Sequence, residues 1–341
     1  MVILTDTRQP KVFNTPIKLS ETSCFGAELE GQGPIGKYLD GIVKGKPESG
    51  ETYEKVESDI IKSTVTRLLE KMDIKDTQIE LLLGGDLMNQ CTSSAYGLSD
   101  FDIPYLGLYG ACSTFVEGLI IASNFIEANS CCNAIACASS NFSTAERQYR
   151  FPLNYGTFPQ KTSQHTVTGC GAAFIEKQNE KQNGVYITSA LTGIVIDRGI
   201  INAANMGAAM SSAAADTIMR YLKGMGKTLN DYDMILTGDL GTIGLEMTSD
   251  MLKENGFSVP KDKLSDCGVL IYDLENQDVS CGGSGCGCSA VTFCGYIYDL
   301  LKSKSIKNAL LIGTGAMMSP QALLQGLSIP AVAHLVEFTS F

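Results

Sequence analysis

The sequence predicts an α/β protein built from two similar halves, and three observations support this prediction. Continuously apolar runs alternate with helical patterns along the 341 residues, which is typical of sheets covered on both faces by helices. The same order of elements occurs twice, about 150 residues apart, and this period is too long for a solenoid unit. In both halves a strand ends in Gly-Asp-Leu, and a later turn of small residues leads into an apolar helix.

The first half opens with a predicted strand or hairpin at residues 11–25, followed by a long irregular loop at 26–50. Apolar residues recur at helical spacing in residues 51–72, which predicts an amphipathic helix. The apolar run 79–83 predicts a buried strand, and the glycines after it predict a turn. Asp86 then lies just past the carboxyl end of this strand.

Residues 106–129 form the stretch around which the half is organised. A short apolar run ends at Gly110, small residues follow, and a helix that is apolar on nearly every face starts at Phe115. A helix without a polar face is normally buried. Cys112 would lie at the turn before this helix, where the helix dipole favours a thiolate. A buried structural cysteine is the alternative interpretation.

Two further buried strands are predicted at residues 133–139 and 170–176. The polar and aromatic segment 141–166 between them is too long for an ordinary connection, which predicts a functional loop. The second half repeats the order of the first. Its predicted elements are a strand at 185–197, a helix at 211–223, a strand ending in Gly-Asp-Leu at 238–240, a cysteine-glycine loop at 282–288, a helix at 290–304, and strands at 305–316 and 333–338.

Apolar strands interleaved with helices predict largely parallel sheets. Ligands of such sheets bind at the carboxyl ends of the strands, where the two halves meet. We therefore expect Asp86, Cys112, Asp239 and the 282–288 loop to converge there.

Composition and charge exclude several classes of protein. The net charge of −11 argues against a nucleic-acid-binding protein, which would carry a basic face. The amino terminus lacks the charged and apolar regions of a signal peptide. No apolar run is long enough for a membrane span.

The 12 cysteines lie mostly in apolar or small-residue runs. Cys281, Cys286 and Cys288 have no partner cluster at zinc-finger spacing, so we expect no structural metal. The cysteines are predicted to be small core residues of a protein in a reducing compartment.

A duplicated α/β chain with a cysteine before a buried helix and a glycine-rich loop in the second half resembles the thiolase fold of thiolases and ketoacyl-ACP synthases. A narrower resemblance is to the stage V sporulation protein AD family (SpoVAD), and it covers nearly the whole chain. The motifs that carry it are GDLMNQ (85–90), GACST (110–114), STAERQYRFP (143–152), TVTGCGA (166–172), AADTI (214–218), DYDMILTGDL (231–240), GGSGCGCSA (282–290) and SIPAVAH (328–334).

The resemblance implies two thiolase-like halves, residues 1–180 and 181–341, stacked as a layered α-β-α-β-α sandwich. It also implies binding of dipicolinic acid, within the apparatus that imports calcium dipicolinate into the developing spore. The implied partners are other SpoVA membrane proteins and a second copy of the chain. The implied location is peripheral, at the inner spore membrane of the forespore. Carried over to this sequence, the pocket residues of the family are Asp86 and Cys112.

Catalysis by this fold requires groups that the sequence lacks. Condensing enzymes of the family pair their cysteine with two histidines or with histidine and asparagine. The position of the first partner follows the strand ILTGDL, where this chain has Gly238 and Asp239. The second position falls in the glycine loop, which contains Ser284 and Cys286. An aspartate in place of a histidine would oppose an oxyanion and raise the pKa of a nearby thiol. We therefore expect no enzyme and no cofactor.

Several residues are suited to bind the two carboxylates of dipicolinate. Backbone N–H groups beside Cys112 and in the 282–288 loop are natural donors. Arg147 and Arg150 could add charge, and the nearby rings of Tyr149, Phe151, Tyr155 and Phe158 could stack on the ligand, although this loop could equally pack on a domain or dimer surface. The predicted ligand-binding residues are Asp86, Asn89, Cys112, Arg147, Gly283, Ser284 and His334.

Two of these residues have alternative interpretations. Asp86 would repel a bare dianion, so it holds calcium bound with the ligand, hydrogen-bonds its own loop, or accepts from a protonated ligand. His334 enters the last strand, where a packed, hydrogen-bonded histidine is the more common finding.

Three functions compete on this basis. The first is a non-catalytic dipicolinate-binding protein of a transport assembly. The second is a condensing enzyme or acyltransferase that uses Cys112 and an acyl thioester. The third is a scaffold with a vestigial pocket that acts only through its partner surfaces.

Overall fold

The strands form one large mixed sheet and one short parallel pair. The structure, a computed structural model, describes residues 8–341. The large sheet has the order β10-β9-β12-β13-β8-β1-β7-β5-β3-β4, with β2 beside β1, whereas β6 pairs with β11. The strands are β1 (Lys11–Ala27), β2 (Gly41–Val43), β3 (Leu82–Gly85), β4 (Tyr105–Gly107), β5 (Asn133–Ser140), β6 (His165–Thr166), β7 (Gly169–Lys177), β8 (Val185–Leu191), β9 (Met234–Thr237), β10 (Leu264–Asp266), β11 (Gly283–Ser284), β12 (Asn308–Ala316) and β13 (Ala331–Ser340).

The helices pack on both faces of this sheet. Two π-helical segments, Glu146–Arg150 and Phe293–Ile297, extend α5 and join α9 to α10. The α-helices are α1 (Glu28–Gly31), α2 (Tyr53–Met72), α3 (Thr92–Leu98), α4 (Thr114–Glu127), α5 (Phe142–Ala145), α6 (Met206–Met225), α7 (Gly241–Glu254), α8 (Cys267–Leu270), α9 (Cys286–Thr292), α10 (Tyr298–Lys302) and α11 (Pro320–Leu324).

The two halves repeat one strand order, as the sequence predicts. The order β4-β3-β5-β7-β1 of the first half corresponds to β10-β9-β12-β13-β8 in the second. Helix α2 packs on β1 and β7, and α6 packs on β12 and β13, while α4 contacts strands of both halves and α9 packs beside it. The predicted α/β fold of two similar halves is confirmed, and α4 and α9 pack together where the halves meet. Residues 178–184 connect the halves, and the division at residue 180 stays a prediction.

The layer formed by α4 and α9 is apolar because its helices meet protein on all sides. Phe115 and Leu119 of α4 are fully buried, and the ring of Phe115 lies 6.0 Å from that of Phe293. Helix α2 instead has one polar face. Its amino terminus is capped by the Thr52 side chain, which accepts a hydrogen bond from the Lys55 backbone N–H, as expected for an amphipathic surface helix.

The prediction of largely parallel sheets is wrong for the middle of the molecule. Parallel pairs join β3 to β4 and β5, and β9 to β10 and β12. The central strands β7, β1, β8 and β13 pair antiparallel with one another and with β5 and β12, and the short β2 joins β1 in parallel. A strand buried on both faces is continuously apolar in either direction, so the apolar runs could not reveal strand direction.

Several predicted boundaries also differ from the structure. The strand predicted at 185–197 ends at Leu191, and the predicted 290–304 helix contains a π-helical segment. The 26–50 and 141–166 segments, predicted as loops, contain short helices and strands. Side-chain contacts with other parts of the chain stabilise these short elements, and a local pattern does not contain those contacts.

The cysteines are free thiols, and all but Cys132 are buried, as predicted for small core residues. Among residues 8–341 no helix is both long enough and apolar enough to cross a membrane. The prediction that the amino terminus is not a signal peptide falls partly on residues 1–7. These residues lie outside the described part of the chain.

Candidate functional site

Cys112 lies in a tight turn at the junction of the two halves. The 3-10 turn Ala111–Ser113 leads directly into α4. Ala111 has a φ of 51°, a left-handed conformation that costs free energy for a residue with a side chain. The Cys286 thiol, from the glycine loop of the second half, donates to the Ala111 carbonyl at 2.9 Å. Contacts from both halves therefore hold this turn.

The turn forms the floor of a cavity of about 260 Å³. Small and apolar side chains make up most of its walls, and the polar groups are a few hydroxyls, one thiol and one guanidinium. Neither histidine of the chain lines it. The lining residues are Leu87, Tyr109, Ala111, Cys112, Ala145, Tyr149, Arg150, Thr166, Met206, Ser284, Ala316, Met317 and Met318.

A buried carboxyl group lies below the floor of this cavity. Asp239, at the end of β9, accepts hydrogen bonds from the Ser284 hydroxyl at 2.9 Å and from the Thr314 hydroxyl at 2.6 Å. The backbone N–H of Gly285 donates to the same carboxyl group at 3.2 Å. The Ser284 hydroxyl in turn lies 3.9 Å from the Cys112 sulfur. The structure thus brings together Asp239, Ser284 and Cys112 as predicted, whereas Asp86, which the sequence predicts to converge with them, does not line the cavity.

The electrostatics of this group oppose a thiolate. Burial raises the pKa of Cys112 well above 9.0, and the nearby Asp239 and Cys286 raise it further. Burial also raises the pKa of Asp239 to about 7, against hydrogen bonds that lower it. The thiolate that the helix dipole was expected to favour is therefore disfavoured at neutral pH, because desolvation outweighs the dipole of one helix.

One wall of the cavity is aromatic and cationic. Arg150 donates to the Gln164 carbonyl at 3.0 Å and forms an ion pair with Glu146 at 3.0 Å. The hydroxyls of Tyr109 and Tyr149 lie 2.9 Å apart. These groups offer a planar ligand a charged donor and ring faces.

Asp86 is fully buried and does not line the cavity. Its carboxylate accepts from the Met88 N–H at 2.8 Å and from both the N–H and the hydroxyl of Ser94 at 2.7 Å. Of the three roles considered for Asp86, this geometry supports the hydrogen bonding of its own loop. The carboxyl group joins the Gly-Asp-Leu turn to α3.

Replacing Asp86 by alanine should therefore lower the free energy of unfolding by about 2–4 kcal/mol, because the part-buried N–H of Met88 and the buried N–H and hydroxyl of Ser94 lose their acceptor. Urea unfolding measures this change. Asp59→Ala, which removes a solvent-exposed partner of Lys55, is the control and should change stability by less than about 0.5 kcal/mol. Equal effects of the two substitutions would contradict the assigned role.

The other predicted residues have different surroundings. Asn89 lies at the exposed rim, where its side-chain oxygen accepts from the Tyr109 hydroxyl at 3.0 Å. Arg147 forms an ion pair with Glu54 and lies outside this cavity. Gly283 is a buried residue of β11 beside Ser284.

His334 is also outside the cavity lining. Its Nδ1 accepts from the Gly193 N–H at 3.1 Å, and burial lowers its pKa to about 4. The packed, hydrogen-bonded interpretation of this strand histidine fits these contacts. Within residues 8–341 the His, Cys, Asp and Glu side chains form no cluster suited to a metal ion.

Sequence reasoning missed the apolar part of the cavity. Met206, Met317 and Met318 line it, and the last two follow the carboxyl end of β12. The rule that ligands bind beyond strand ends could have identified these two. Met206 begins α6 after a long irregular segment, and no local signal points to it.

The chain matches the family model described as Stage V sporulation protein AD (SpoVAD) over residues 7–339. Stage V sporulation protein AD from Bacillus subtilis (strain 168) is 38% identical over 331 residues, which cover 97% of this chain and 96% of the relative.

Solved structures of condensing enzymes share the fold. 3-Oxoacyl-[acyl-carrier-protein] synthase III from Aquifex aeolicus VF5 has a TM-score of 0.56 and 12% identity, over 95% of this chain and 99% of the other. Cerulenin-bound OleA from Xanthomonas campestris has a TM-score of 0.57 and 12% identity, over 95% of this chain and 97% of the other. At these identities the likeness concerns the fold alone.

Proposed function

The chain belongs to the stage V sporulation protein AD family and is thus a sporulation protein, and on this basis we propose that it binds dipicolinic acid for import into the developing spore without catalysing a reaction. The observation that carries the proposal is the Cys112 cavity, which has a guanidinium and aromatic walls but no histidine. Its volume of about 260 Å³ suits a single substituted ring and lies below the usual range for larger ligands.

The charge of the cavity favours a ligand that is not a bare dianion. Arg150 is its one cationic residue among the described lining residues, and Glu146 already compensates that charge. Ionised Asp239 below the floor would add repulsion. The calcium chelate of dipicolinate has no net charge, so calcium would enter bound to the ligand and the protein would need no metal site of its own.

The proposed absence of catalysis follows from the same surroundings. A nucleophilic cysteine needs a lowered pKa or a neighbouring base. The Cys112 thiol instead has a raised pKa and lies near a serine hydroxyl that already donates to Asp239.

The proposed partners are other SpoVA membrane proteins and a second copy of the chain, at the inner spore membrane of the forespore. The strand β4 supports the homodimer, because it pairs only with β3 among the described strands and its residue Leu106 is exposed. An open sheet edge of this kind can pair with the same edge of another copy. Light scattering of the purified protein tests this part of the proposal.

Calorimetric titration of the purified protein with dipicolinate, with and without calcium, tests the proposed ligand. Saturable binding is expected, and it should be tighter for the calcium chelate. Isophthalate is the matched control, because it keeps both carboxylates on a six-membered ring but lacks the ring nitrogen that chelates calcium. Absence of binding under both conditions would reject the proposal.

Incubation with acetyl-CoA at pH 7 should leave Cys112 unmodified, since burial and the neighbouring Asp239 carboxyl raise the pKa of its thiol and keep it protonated. Intact-mass measurement followed by peptide mapping detects any acetyl adduct. The exposed thiol of Cys132 provides an internal control for non-enzymatic acylation. An adduct on Cys112 that forms faster than that on Cys132 would favour an acyltransferase.

A further inference from the structure

A second cavity, of about 410 Å³, adjoins the Cys112 cavity. Arg150 lines both of them. The walls of the second cavity come from the first turn of α2, from α5 and the π-helical segment after it, and from the segments around β6 and before β11. Its lining residues include Arg147, Ser163, Gln164 and His165.

Three residues that line the second cavity have buried polar atoms for which the described part of the chain offers no hydrogen-bond partner. These atoms are the hydroxyl of Ser163, the side-chain oxygen of Gln164 and the side-chain oxygen of Asn154. Ser163 is 2% exposed and Gln164 is 3% exposed. Buried polar groups almost always have partners, so these atoms point to a ligand. Two of the three are amide oxygens and can only accept, so a ligand that donates a hydrogen bond would satisfy them and bind more tightly than one without a donor.

The charged groups of the cavity add a second requirement. Its cations are the guanidiniums of Arg147 and Arg150, and its carboxylates are Glu146 and Asp278. His165 is neutral at pH 7, because burial lowers its pKa to about 4. Arg147 and Arg150 already form ion pairs with Glu54 and Glu146, so a carboxylate on the ligand would accept from the remaining N–H groups of the guanidiniums, and its donor groups would reach the amide oxygens.

The rings of the cavity favour a flat ligand. The Phe142 ring is stacked on His165 at a centroid distance of 4.3 Å, and Arg147 lies 5.3 Å from the ring centre of Tyr53. These stacked planar groups form walls on which another planar group can lie.

Gln164 connects the second cavity to the first. Its amide nitrogen donates to the backbone carbonyls of Asp239 and, at 3.3 Å, of Gly283. Asp239 lies below the floor of the Cys112 cavity, and Gly283 precedes Ser284, which donates to Asp239. Arg150 connects the cavities again, by donating to the Gln164 carbonyl. A ligand on the free oxygen of Gln164 would therefore contact a side chain that positions the first site.

We propose that the second cavity is a further binding site for a flat carboxylic acid that carries an N–H or O–H donor, coupled to the Cys112 cavity through Gln164 and Arg150. The inference rests on the proposed function, because it assigns the same class of ligand to both cavities. Each protein chain then binds two ligand molecules.

Calorimetric titration of the full chain with dipicolinate and with 4-hydroxypyridine-2,6-dicarboxylate, whose hydroxyl is an added donor, tests this site. Two equivalents per chain are expected. The hydroxylated probe should bind the second site about tenfold more tightly than dipicolinate, the effect of about one net hydrogen bond.

Two variants locate the second equivalent. Arg147→Gln removes a guanidinium that lines only the second cavity, so the second equivalent should be lost while the first is retained. Ser163→Ala removes an unpartnered hydroxyl without removing any side-chain hydrogen bond from the fold, and it should abolish most of the preference for the hydroxylated probe. Arg67→Gln, at an exposed ion pair with Glu70, is the matched control and should change neither equivalent.

The outcomes separate the two proposals. Water alone in the second cavity would give a single equivalent that neither Arg147→Gln nor Ser163→Ala affects. This result overturns the inference and leaves the proposed function intact. A single equivalent that Arg147→Gln abolishes supports the second site and contradicts binding beside Cys112. No binding of either probe overturns both proposals.

Discussion

Replacing Arg150 by glutamine is expected to weaken the binding of dipicolinate in the Cys112 cavity by about 100-fold. Arg150 is the one guanidinium among the residues that line this cavity. A hydrogen bond between charged partners contributes about 1.5–3 kcal/mol, and the upper value corresponds to roughly this factor. Arg150→Lys should have an intermediate effect, because it keeps the charge and loses the planar, bidentate geometry.

Calorimetric titration of both variants measures this effect, with thermal unfolding as a check that the fold persists. The matched control is Arg67→Gln, at an exposed ion pair with Glu70 outside both cavities. If Arg150→Gln and Arg67→Gln weaken binding at the Cys112 cavity equally, the ligand does not contact Arg150 there.

The second large effect concerns the stability of the protein as a function of pH. The pKa of Asp239 is about 7 in the folded protein, against an ordinary value of 3.8. Between these values the folded protein keeps a proton that the unfolded chain has released. Stability contributed by the protonated carboxyl is therefore complete below about pH 4 and is lost as the pH rises to 7. Asp266, with a pKa of about 6, acts in the same direction.

The free energy of unfolding of the unchanged protein should fall as the pH rises from 5 to 8. In Asp239→Asn this fall should be about 3 kcal/mol smaller, because the amide does not titrate. The amide has nearly the same volume, and the hydroxyls of Ser284 and Thr314 can either donate or accept, so the fold should persist. Urea unfolding at the two pH values measures the difference. A pH dependence equal to that of the unchanged protein would mean that Asp239 is not the titrating group.

Asp239→Ala is the more disruptive comparison. It leaves the donors of Ser284, Gly285 and Thr314 without their acceptor, each at a cost of about 1–3 kcal/mol. Loss of dipicolinate binding in this variant, together with retention in Asp239→Asn, would separate the support of the cavity floor from any charge effect.

The duplicated strand ends show what a local sequence pattern predicts and what it cannot distinguish. Asp86 and Asp239 both follow Gly at the end of an apolar strand, and the sequence alone treats them as equivalent. The structure places Asp86 under α3, with Ser94 as its partner, and Asp239 under the Cys112 cavity, with Ser284. A local repeat cannot distinguish them, because the partner of Asp239 lies 45 positions away along the chain.

The arginines show the same limit. Both Arg147 and Arg150 belong to one predicted functional segment. The segment forms a π-helical turn, in which Arg147 pairs with Glu54 and Arg150 reaches the cavity beside Cys112. The choice between them depends on contacts with α2 and with Gln164, which no periodicity encodes.

The sequence by itself determined the α/β class, the two similar halves, the order of their strands, and the turn that holds Cys112, because strands, helices and turns leave patterns within a few residues of one another. Only the tertiary structure decided the direction of the central strands, the burial that keeps the Cys112 thiol protonated, and the walls of the cavity. These properties arise from residues far apart in the chain that meet where the halves join, and the desolvation and hydrogen bonds that result exist only after folding.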